Sequence, residues 1–199
     1  EALRARGHEV RVFKVEPQFA GKSVATRLLM HLCDLWAVTS LAQDIIAWKS
    51  DALITHNVTG CGMGTAKAIQ GSDVYWLHII HDIQLIDPSG QMIVGESFPA
   101  LRDIWRNCWS GLRRLSFGRP DIVCSPSRWS LDQHWKYGFF KDVRCVILPN
   151  PSPSWPVAFD KAREPSILFV GRVDEDKGVR VLVEVRVLEG ERHGADEAR

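Results

Sequence analysis

The sequence has few cysteines, and none of them belongs to a short paired motif. The five cysteines are scattered over 199 residues and show no CxxC spacing: Cys33, Cys61, Cys108, Cys124 and Cys145. A disulfide framework or a structural zinc site needs paired or closely spaced cysteines. We therefore expect reduced thiols, as in a cytosolic protein.

The sequence also lacks a long apolar run and an excess of charge of either sign. No uninterrupted apolar stretch could span a bilayer, and the first residues do not resemble a signal peptide. The net charge is +1, which does not favour nucleic acid as a partner. A hydrophobic content of 45% allows an ordinary soluble core. We expect a cytoplasmic protein, and a peripheral contact with the inner membrane face stays open.

Short apolar segments alternate with segments of helical periodicity. The strand candidates are residues 8–15, 51–57, 74–80, 121–124, 143–148 and 166–170. The helix candidates are residues 22–48 with a break near Thr39, residues 65–69, a long helix capped by Ser97, and residues 127–136 with Gly138 as terminator. In the long helix we expect the apolar positions to be buried and Arg102, Arg106 and Arg113 to lie on a more exposed face. The alternation predicts an α/β fold with a parallel sheet.

Proline placement suggests a boundary between two domains. Five prolines fall between positions 149 and 165, which is typical of a hinge. We therefore expect a first domain over residues 1–150, a hinge over 151–165 and the start of a second α/β unit over 166–199. Residues 1–7 resemble the last turns of a helix closed by Gly7, so we interpret the chain as a fragment whose first strand and loop are missing.

The segment from Ser166 to Gly178 gathers positive charge at one point. An apolar run leads into Gly171-Arg172, and Lys177-Gly178 stands where a helix is expected to begin. A guanidinium fork, an ammonium group and a helix N-terminus together suit a diphosphate. The alternative is a surface turn in which both cations pair with the acidic residues 174–176. A Walker loop is excluded, because it requires Gly-Lys followed by Ser or Thr.

Four segments, in this order, resemble GT-B glycosyltransferases of the retaining family 4. They are Arg6-Gly7-His8-Glu9-Val10, the strand from Trp76 that ends in His81-Asp82, the stretch from Ser125-Pro126-Ser127 through Gly138 to Pro151, and Phe169-Val170-Gly171-Arg172 with Lys177-Gly178. The resemblance covers the chain up to about Leu182 and implies two facing Rossmann-like domains. The acceptor would be held mainly by the first domain and a nucleotide-diphosphate sugar by the second.

The resemblance also implies roles for individual residues. Arg172 and Lys177 would contact the donor diphosphate without a metal or a cofactor, and Gly171 would let the backbone approach it. His81 matches the family's catalytic histidine in the cleft; the alternative is a hydrogen-bonded structural histidine. Weaker candidates for acceptor or cleft contacts are His56, Asn57 and Asp82. The acceptor would be a glycan, a lipid or a small molecule.

Some features depart from the family or point elsewhere. The family's N-terminal Gly-rich loop and its E-x7-E motif do not occur, and the valines from 179 to 187 alternate as in a strand where the family has a helix. A non-catalytic remnant or binding module, or another GT-B enzyme such as an epimerase, therefore stays open.

We do not expect a dinucleotide loop at Gly60–Gly64, because Thr65 and Lys67 occupy the possible third glycine positions. We expect no metal site at His78, His81 and Asp82, since His78 and His81 should point to opposite faces of a strand. Membrane binding by the arginines and tryptophans of the long helix is less favoured than a solvated face.

Overall fold

The computed structural model describes residues 2–15, 21–92, 98–151, 168–171, 173 and 177–184. The chain divides into two compact units, Glu1–Pro151 and Ser152–Arg199. The first unit contains a four-stranded sheet in the order β1-β2-β3-β4, and every neighbouring pair of strands is parallel. This unit is a Rossmann-like α/β structure, in agreement with the alternation of the sequence.

Helices precede and connect the strands. The strands are β1 (Ala52–Thr55), β2 (Tyr75–Ile79), β3 (Ile122–Ser125) and β4 (Arg144–Ile147). The helices are α1 (Ala2–Ala5), α2 (Val24–Asp34), α3 (Ser40–Ala47), α4 (Met63–Gln70), α5 (Pro99–Phe117) and α6 (Arg128–Lys136). The helical stretch over 22–48 is interrupted between α2 and α3, as predicted. Helices α4, α5 and α6 connect consecutive strands, which is the connection that a parallel sheet needs.

The core lies around the two central strands. Trp76 on β2 and Val123 on β3 are almost completely buried, and the Trp76 ring packs against Phe117 of α5 with 5.3 Å between ring centroids. Each large apolar side chain that is buried in this way contributes about 1.5–3 kcal/mol. The core continues under the carboxyl ends of these strands through Ile80 and Phe140. The polar residues that follow β2 therefore stand on a packed base.

Local caps fix the helix that follows β3. The Ser127 side chain accepts a hydrogen bond from the backbone N–H of Ser130 at 3.2 Å, so Ser127 is the N-cap of α6, as predicted. Gly138 has a φ of +85° just after the helix ends, a conformation that favours glycine. These two signals were readable because both act within a few residues of the helix end.

The strand predicted over residues 8–15 is wrong. These residues are described and none of them is in a strand, and Val12 is 63% exposed. A parallel strand is stabilised by hydrogen bonds to a neighbouring strand. Among the described residues no strand pairs with the outer edge of β1. Residues 8–15 therefore have the composition of a strand but no neighbouring strand to pair with.

The predicted faces of α5 are also wrong, except at Arg102, which is exposed as predicted. Arg106 and Arg113 are 5% and 0% exposed, whereas Leu101 and Ile104 are 63% and 60% exposed. Arg106 can be buried because it forms an ion pair with Asp87 at 3.0 Å. The helix begins after Phe98, and the predicted cap Ser97 lies outside the described residues. None of the helices described here is long and apolar enough to cross a membrane.

The second unit is described over short stretches only. Leu168 and Val170 are 86% and 85% exposed and are not in a strand, so the buried strand predicted over 166–170 is not formed in its described part. Residues 179–184 are helical, with Arg180 and Glu184 3.8 Å apart across one turn. The strand-like alternation of valines is therefore misleading over this range. The helix begins directly after Lys177-Gly178, as the sequence predicted.

Candidate functional site

Polar side chains follow two neighbouring strands at the point where each strand ends. His56 and Asn57 come directly after β1, and His81 and Asp82 follow β2. Because the strands are parallel, these residues meet at the carboxyl edge of the sheet, where open α/β folds bind ligands. Nδ1 of His56 and Nε2 of His81 are 2.8 Å apart, and the two rings stack with centroids 5.1 Å apart. We call His56 and His81 the rim histidines.

The neighbouring amide and carboxylate are held by hydrogen bonds. Asn57 donates its Nδ2 hydrogens to Gln84 Oε1 at 2.9 Å and to Asp82 Oδ2 at 3.5 Å. Its Oδ1 accepts a hydrogen bond from the backbone N–H of Thr59 at 2.9 Å. Asp82 Oδ1 in turn accepts from the backbone N–H of Gln84 at 2.9 Å, so Asp82 caps the turn that follows β2. These contacts fix the positions of three polar side chains at the edge of the sheet.

These groups surround a cavity, which we call the edge cavity. Its volume is about 270 Å³, including the space open to solvent. Its walls are formed by His56, Asn57, Val58, Thr59, His78, Ile80, His81, Asp82, Gln84, Leu85 and His134. Most of this volume is open to solvent, and the enclosed part has room for about one water-sized group, so the edge cavity can admit a single functional group such as a hydroxyl. The structure thus brings His56, Asn57, His81 and Asp82 together around one space.

Two buried histidines contribute to the same cavity, and the sequence did not single them out as site residues. His78 is 3% exposed and its Nδ1 lies 2.8 Å from Thr55 Oγ1. His134 is 0% exposed and its Nδ1 lies 2.8 Å from the backbone carbonyl oxygen of Ser130. We call His78 and His134 the floor histidines. His134 lies three residues after the buried Leu131 and on the same face of α6. This spacing is the sequence signal from which the burial of His134 could have been predicted.

Burial lowers the pKa of three imidazoles of this site, those of His56, His78 and His134. Desolvation, reinforced by the neighbouring histidines, lowers the pKa of His78 to about 3. Desolvation also lowers the pKa of His134, against the opposing effects of its bond to Ser130 and of the Asp82 charge. Partial burial, followed by the proximity of His81, lowers the pKa of His56. At pH 7 these three imidazoles are therefore neutral hydrogen-bonding groups of the edge cavity.

A metal site does not form here in the described part of the chain. No group of three or more His, Cys, Asp or Glu side chains among the described residues has an arrangement that could hold a metal ion. The sequence analysis expected His78 and His81 to point to opposite faces of a strand. This expectation is wrong, because both residues line the edge cavity. Strand β2 ends at Ile79, so the alternation of faces does not continue to His81.

The glycines of residues 60–64 serve packing within the protein. The backbone N–H groups of Gly60 and Gly62 donate to the Asp34 carboxylate at 3.1 and 2.8 Å. A Cβ atom on Gly62 would lie 2.4 Å from the carbonyl oxygen of Ala37. Two amides that a dinucleotide phosphate would need are thus bonded to a buried side chain, in agreement with the expectation against a dinucleotide loop.

The residues predicted to bind the donor diphosphate lie in the second unit. Gly171 and Lys177 are both exposed, and Lys177 immediately precedes the helical residues 179–184. Arg172 and the acidic residues 174–176 lie outside the described residues. The two readings of this segment, a diphosphate site or a surface turn with ion pairs, therefore both remain predictions.

Comparison with known proteins gives a distant sequence similarity. The chain is 23% identical over 157 residues to a protein of Klebsiella pneumoniae described as an uncharacterized 42.6 kDa protein in the cps region. The match covers 77% of this chain and 42% of the relative, so the chain spans about two fifths of the relative's length. No protein-family model matches the chain, and no solved structure matches it. Fold and site together define a Rossmann-like α/β protein with a polar cavity at the carboxyl edge of its sheet.

Proposed function

We propose that the chain is part of a retaining GT-B glycosyltransferase of the family 4 type. Such an enzyme transfers a sugar from a nucleotide-diphosphate sugar to an acceptor hydroxyl group without a metal. In this proposal residues 1–150 form the acceptor-side domain, residues 151–165 the hinge, and residues 166–199 the start of the donor-binding domain. The similarity to a protein of a cps region is compatible with sugar transfer.

The observation that carries the proposal is the position of His81. The family resemblance assigns a cleft histidine to this residue, and His81 lies at the carboxyl edge of a parallel sheet, on the rim of a cavity and 2.8 Å from His56. The two ring nitrogens of an imidazole can take part in hydrogen bonds, so His81 can contact the hydroxyl groups of the reacting sugar and help to position it. Asp82, Asn57 and His56 extend the same polar surface towards an acceptor.

The donor side of the proposal rests on Gly171, Arg172 and Lys177. Retaining transfer produces negative charge on the leaving diphosphate, and a guanidinium and an ammonium group stabilise that charge without a divalent ion. Each charge-assisted hydrogen bond contributes about 1.5–3 kcal/mol, or roughly 10–150-fold in affinity. The exposed Lys177 at the start of the helix over 179–184 is accessible for this contact.

Isothermal titration calorimetry of the full-length protein that the proposal implies, with UDP, GDP and ADP, tests the donor side. We expect binding of at least one of these diphosphates, weakened roughly tenfold or more by Arg172→Ala and by Lys177→Ala. Arg180→Ala is the matched control, because Arg180 is an exposed cation of the same helix that pairs with Glu184. An equal loss of diphosphate affinity in all three variants would indicate nonspecific attraction between charges and would count against a specific diphosphate site. Unchanged affinity in Arg172→Ala and Lys177→Ala would contradict the proposal.

A further inference from the structure

The tautomer of His134 follows from its partner. Nδ1 of His134 lies 2.8 Å from the carbonyl oxygen of Ser130, and a carbonyl oxygen can only accept a hydrogen bond. Nδ1 must therefore carry the proton of the neutral ring. Nε2 is left with a lone pair and acts as an acceptor. The bond to Ser130 also turns Nδ1 towards its own helix, so the opposite edge of the ring, with Nε2, is the part that can face the edge cavity.

The acceptor on His134 is not used by the protein itself. Nε2 of His134 is buried and has no hydrogen-bond partner among the described residues. A buried polar atom without a partner is destabilising, and native proteins rarely leave one unsatisfied. A donor completes this site, either a water molecule or a ligand hydroxyl, and the edge cavity, which His134 lines, is the route by which a ligand hydroxyl can approach the ring.

The second floor histidine offers the complementary function. Thr55 Oγ1 accepts a hydrogen bond from Trp76 Nε1 at 2.8 Å and lies 2.8 Å from His78 Nδ1, which is the acceptor that the described contacts offer to the Thr55 hydroxyl hydrogen. We assign the proton of His78 to Nε2 on this basis. The floor histidines then supply one N–H donor and one lone-pair acceptor. A hydroxyl group, which both donates and accepts, matches this pair, whereas a carboxylate, a phosphate or an ammonium group does not.

We propose that the edge cavity recognises a hydroxyl group of the acceptor, and that this hydroxyl donates its hydrogen to the Nε2 lone pair of His134. The ligand class is a neutral polyhydroxylated molecule such as a sugar. Asn57, Asp82 and Gln84 at the entrance supply further amide and carboxylate groups for its other hydroxyls. Assigning the ligand to the acceptor rests on the proposed function; the recognition of a hydroxyl rests on the floor histidines alone.

Histidine-selective nitrogen NMR tests the site directly. The chain is labelled with 15N-histidine and titrated with a panel of neutral methyl glycosides at millimolar concentration. Before addition, we expect His134 to carry its proton on Nδ1 and none on Nε2. On addition of a glycoside that fits, we expect the Nε2 signal of His134 to shift, and a monodeoxy analogue that lacks the bound hydroxyl to bind roughly tenfold or more weakly.

Two substitutions at the same position separate recognition from packing. In His134→Asn the side-chain amide can still donate to the Ser130 carbonyl but has no acceptor at the position of Nε2, so we expect about tenfold weaker glycoside binding. In His134→Gln an amide oxygen can take the place of Nε2, so we expect binding to be largely restored. Circular dichroism of both variants identifies a loss of fold, and the titration of the unmodified chain does not depend on either variant.

Several outcomes would overturn this proposal. A proton on Nε2 of His134, a Nε2 signal that no glycoside shifts, or equal binding by His134→Asn and His134→Gln would each contradict it. A water molecule that occupies Nε2 in the presence of every glycoside would also contradict it. The calorimetric test of nucleoside diphosphates is independent. If diphosphate binding depends on Lys177 but no glycoside shifts the Nε2 signal of His134, only the hydroxyl site is refuted. If a glycoside shifts that signal but diphosphate binding does not depend on Lys177, only the transferase proposal is refuted.

Discussion

Removing the imidazole of His78 should make the protein less sensitive to acid. The pKa of His78 is lowered from 6.5 to about 3, first by desolvation and then by the other histidines of the site. Below pH 6.5 the unfolded chain takes up a proton at this position while the folded protein does not, so stability is lost as the pH falls from 6.5 towards 3. At pH 5 the loss is 1.36 kcal/mol for each of 1.5 pH units, or about 2 kcal/mol.

The substitution His78→Asn isolates this effect. An asparagine amide can keep the hydrogen bond to Thr55 but cannot take up a proton. The free energy of unfolding is measured by urea titration with tryptophan fluorescence at about pH 7.5 and about pH 5. We expect the drop between the two pH values to be about 2 kcal/mol smaller in His78→Asn than in the unmodified chain. Replacement of the exposed His8 by asparagine should leave the drop nearly unchanged. Equal drops in all three proteins would refute a neutral His78 in the folded state.

Two further predictions concern stability and compare matched sites. Arg106→Met removes one partner of the buried pair with Asp87 and should lower the free energy of unfolding by about 3–5 kcal/mol. Arg113→Met should change the free energy of unfolding by no more than about 1 kcal/mol. Burial lowers the pKa of Arg113 to about 10, so the charged guanidinium carries a desolvation penalty at all pH values below that, and methionine removes this penalty. Similar losses of stability in the two arginine variants, measured by urea unfolding, would contradict this distinction. Gly62→Ala should destabilise the protein more than Gly21→Ala, since both glycines have a positive φ but only at Gly62 would a Cβ meet backbone, at 2.4 Å from a carbonyl oxygen. Thermal unfolding of the two glycine variants measures the difference, and equal melting temperatures would refute it.

The sequence predicted the central part of the fold because its signals are local. The strands β1, β2, β3 and β4 were recognisable from short apolar runs, and Ser127 and Gly138 marked the two ends of α6. Residues 8–15 have the same kind of composition but form no strand. Strand formation depends on a pairing partner elsewhere in the chain, and a residue pattern does not report whether that partner is present.

The two faces of α5 could not be predicted from hydrophobic periodicity alone. Periodicity treats arginine as a surface residue, but Arg106 is buried against Asp87 and Arg113 lies over the Trp109 ring at 5.0 Å. A paired or stacked guanidinium can be buried, and the acidic partner lies nineteen positions away in the sequence. Long-range pairing of charge thus overrode the apolar pattern of this helix.

The candidate site was predicted in part, and the missing part has a physical reason. His56, Asn57, His81 and Asp82 could be found because they follow strands directly, and parallel strands bring such residues to one edge. His134 comes from the last turn of α6 and reaches the cavity only through the packing of that helix on the sheet. No spacing rule along the chain connects it to the residues after β1 and β2.

Sugar transfer by the full-length enzyme of which we propose this chain to be a part tests the central claim most directly. A panel of nucleotide-diphosphate sugars with labelled sugar is offered together with the glycosides that bind the edge cavity, and the configuration of the product is read by NMR. We predict transfer with retention, a kcat reduced roughly 100-fold or more in His81→Ala, and an unchanged Kd for the nucleoside diphosphate in that variant. A His81→Ala protein with the original kcat, or an inverted product, would contradict the account.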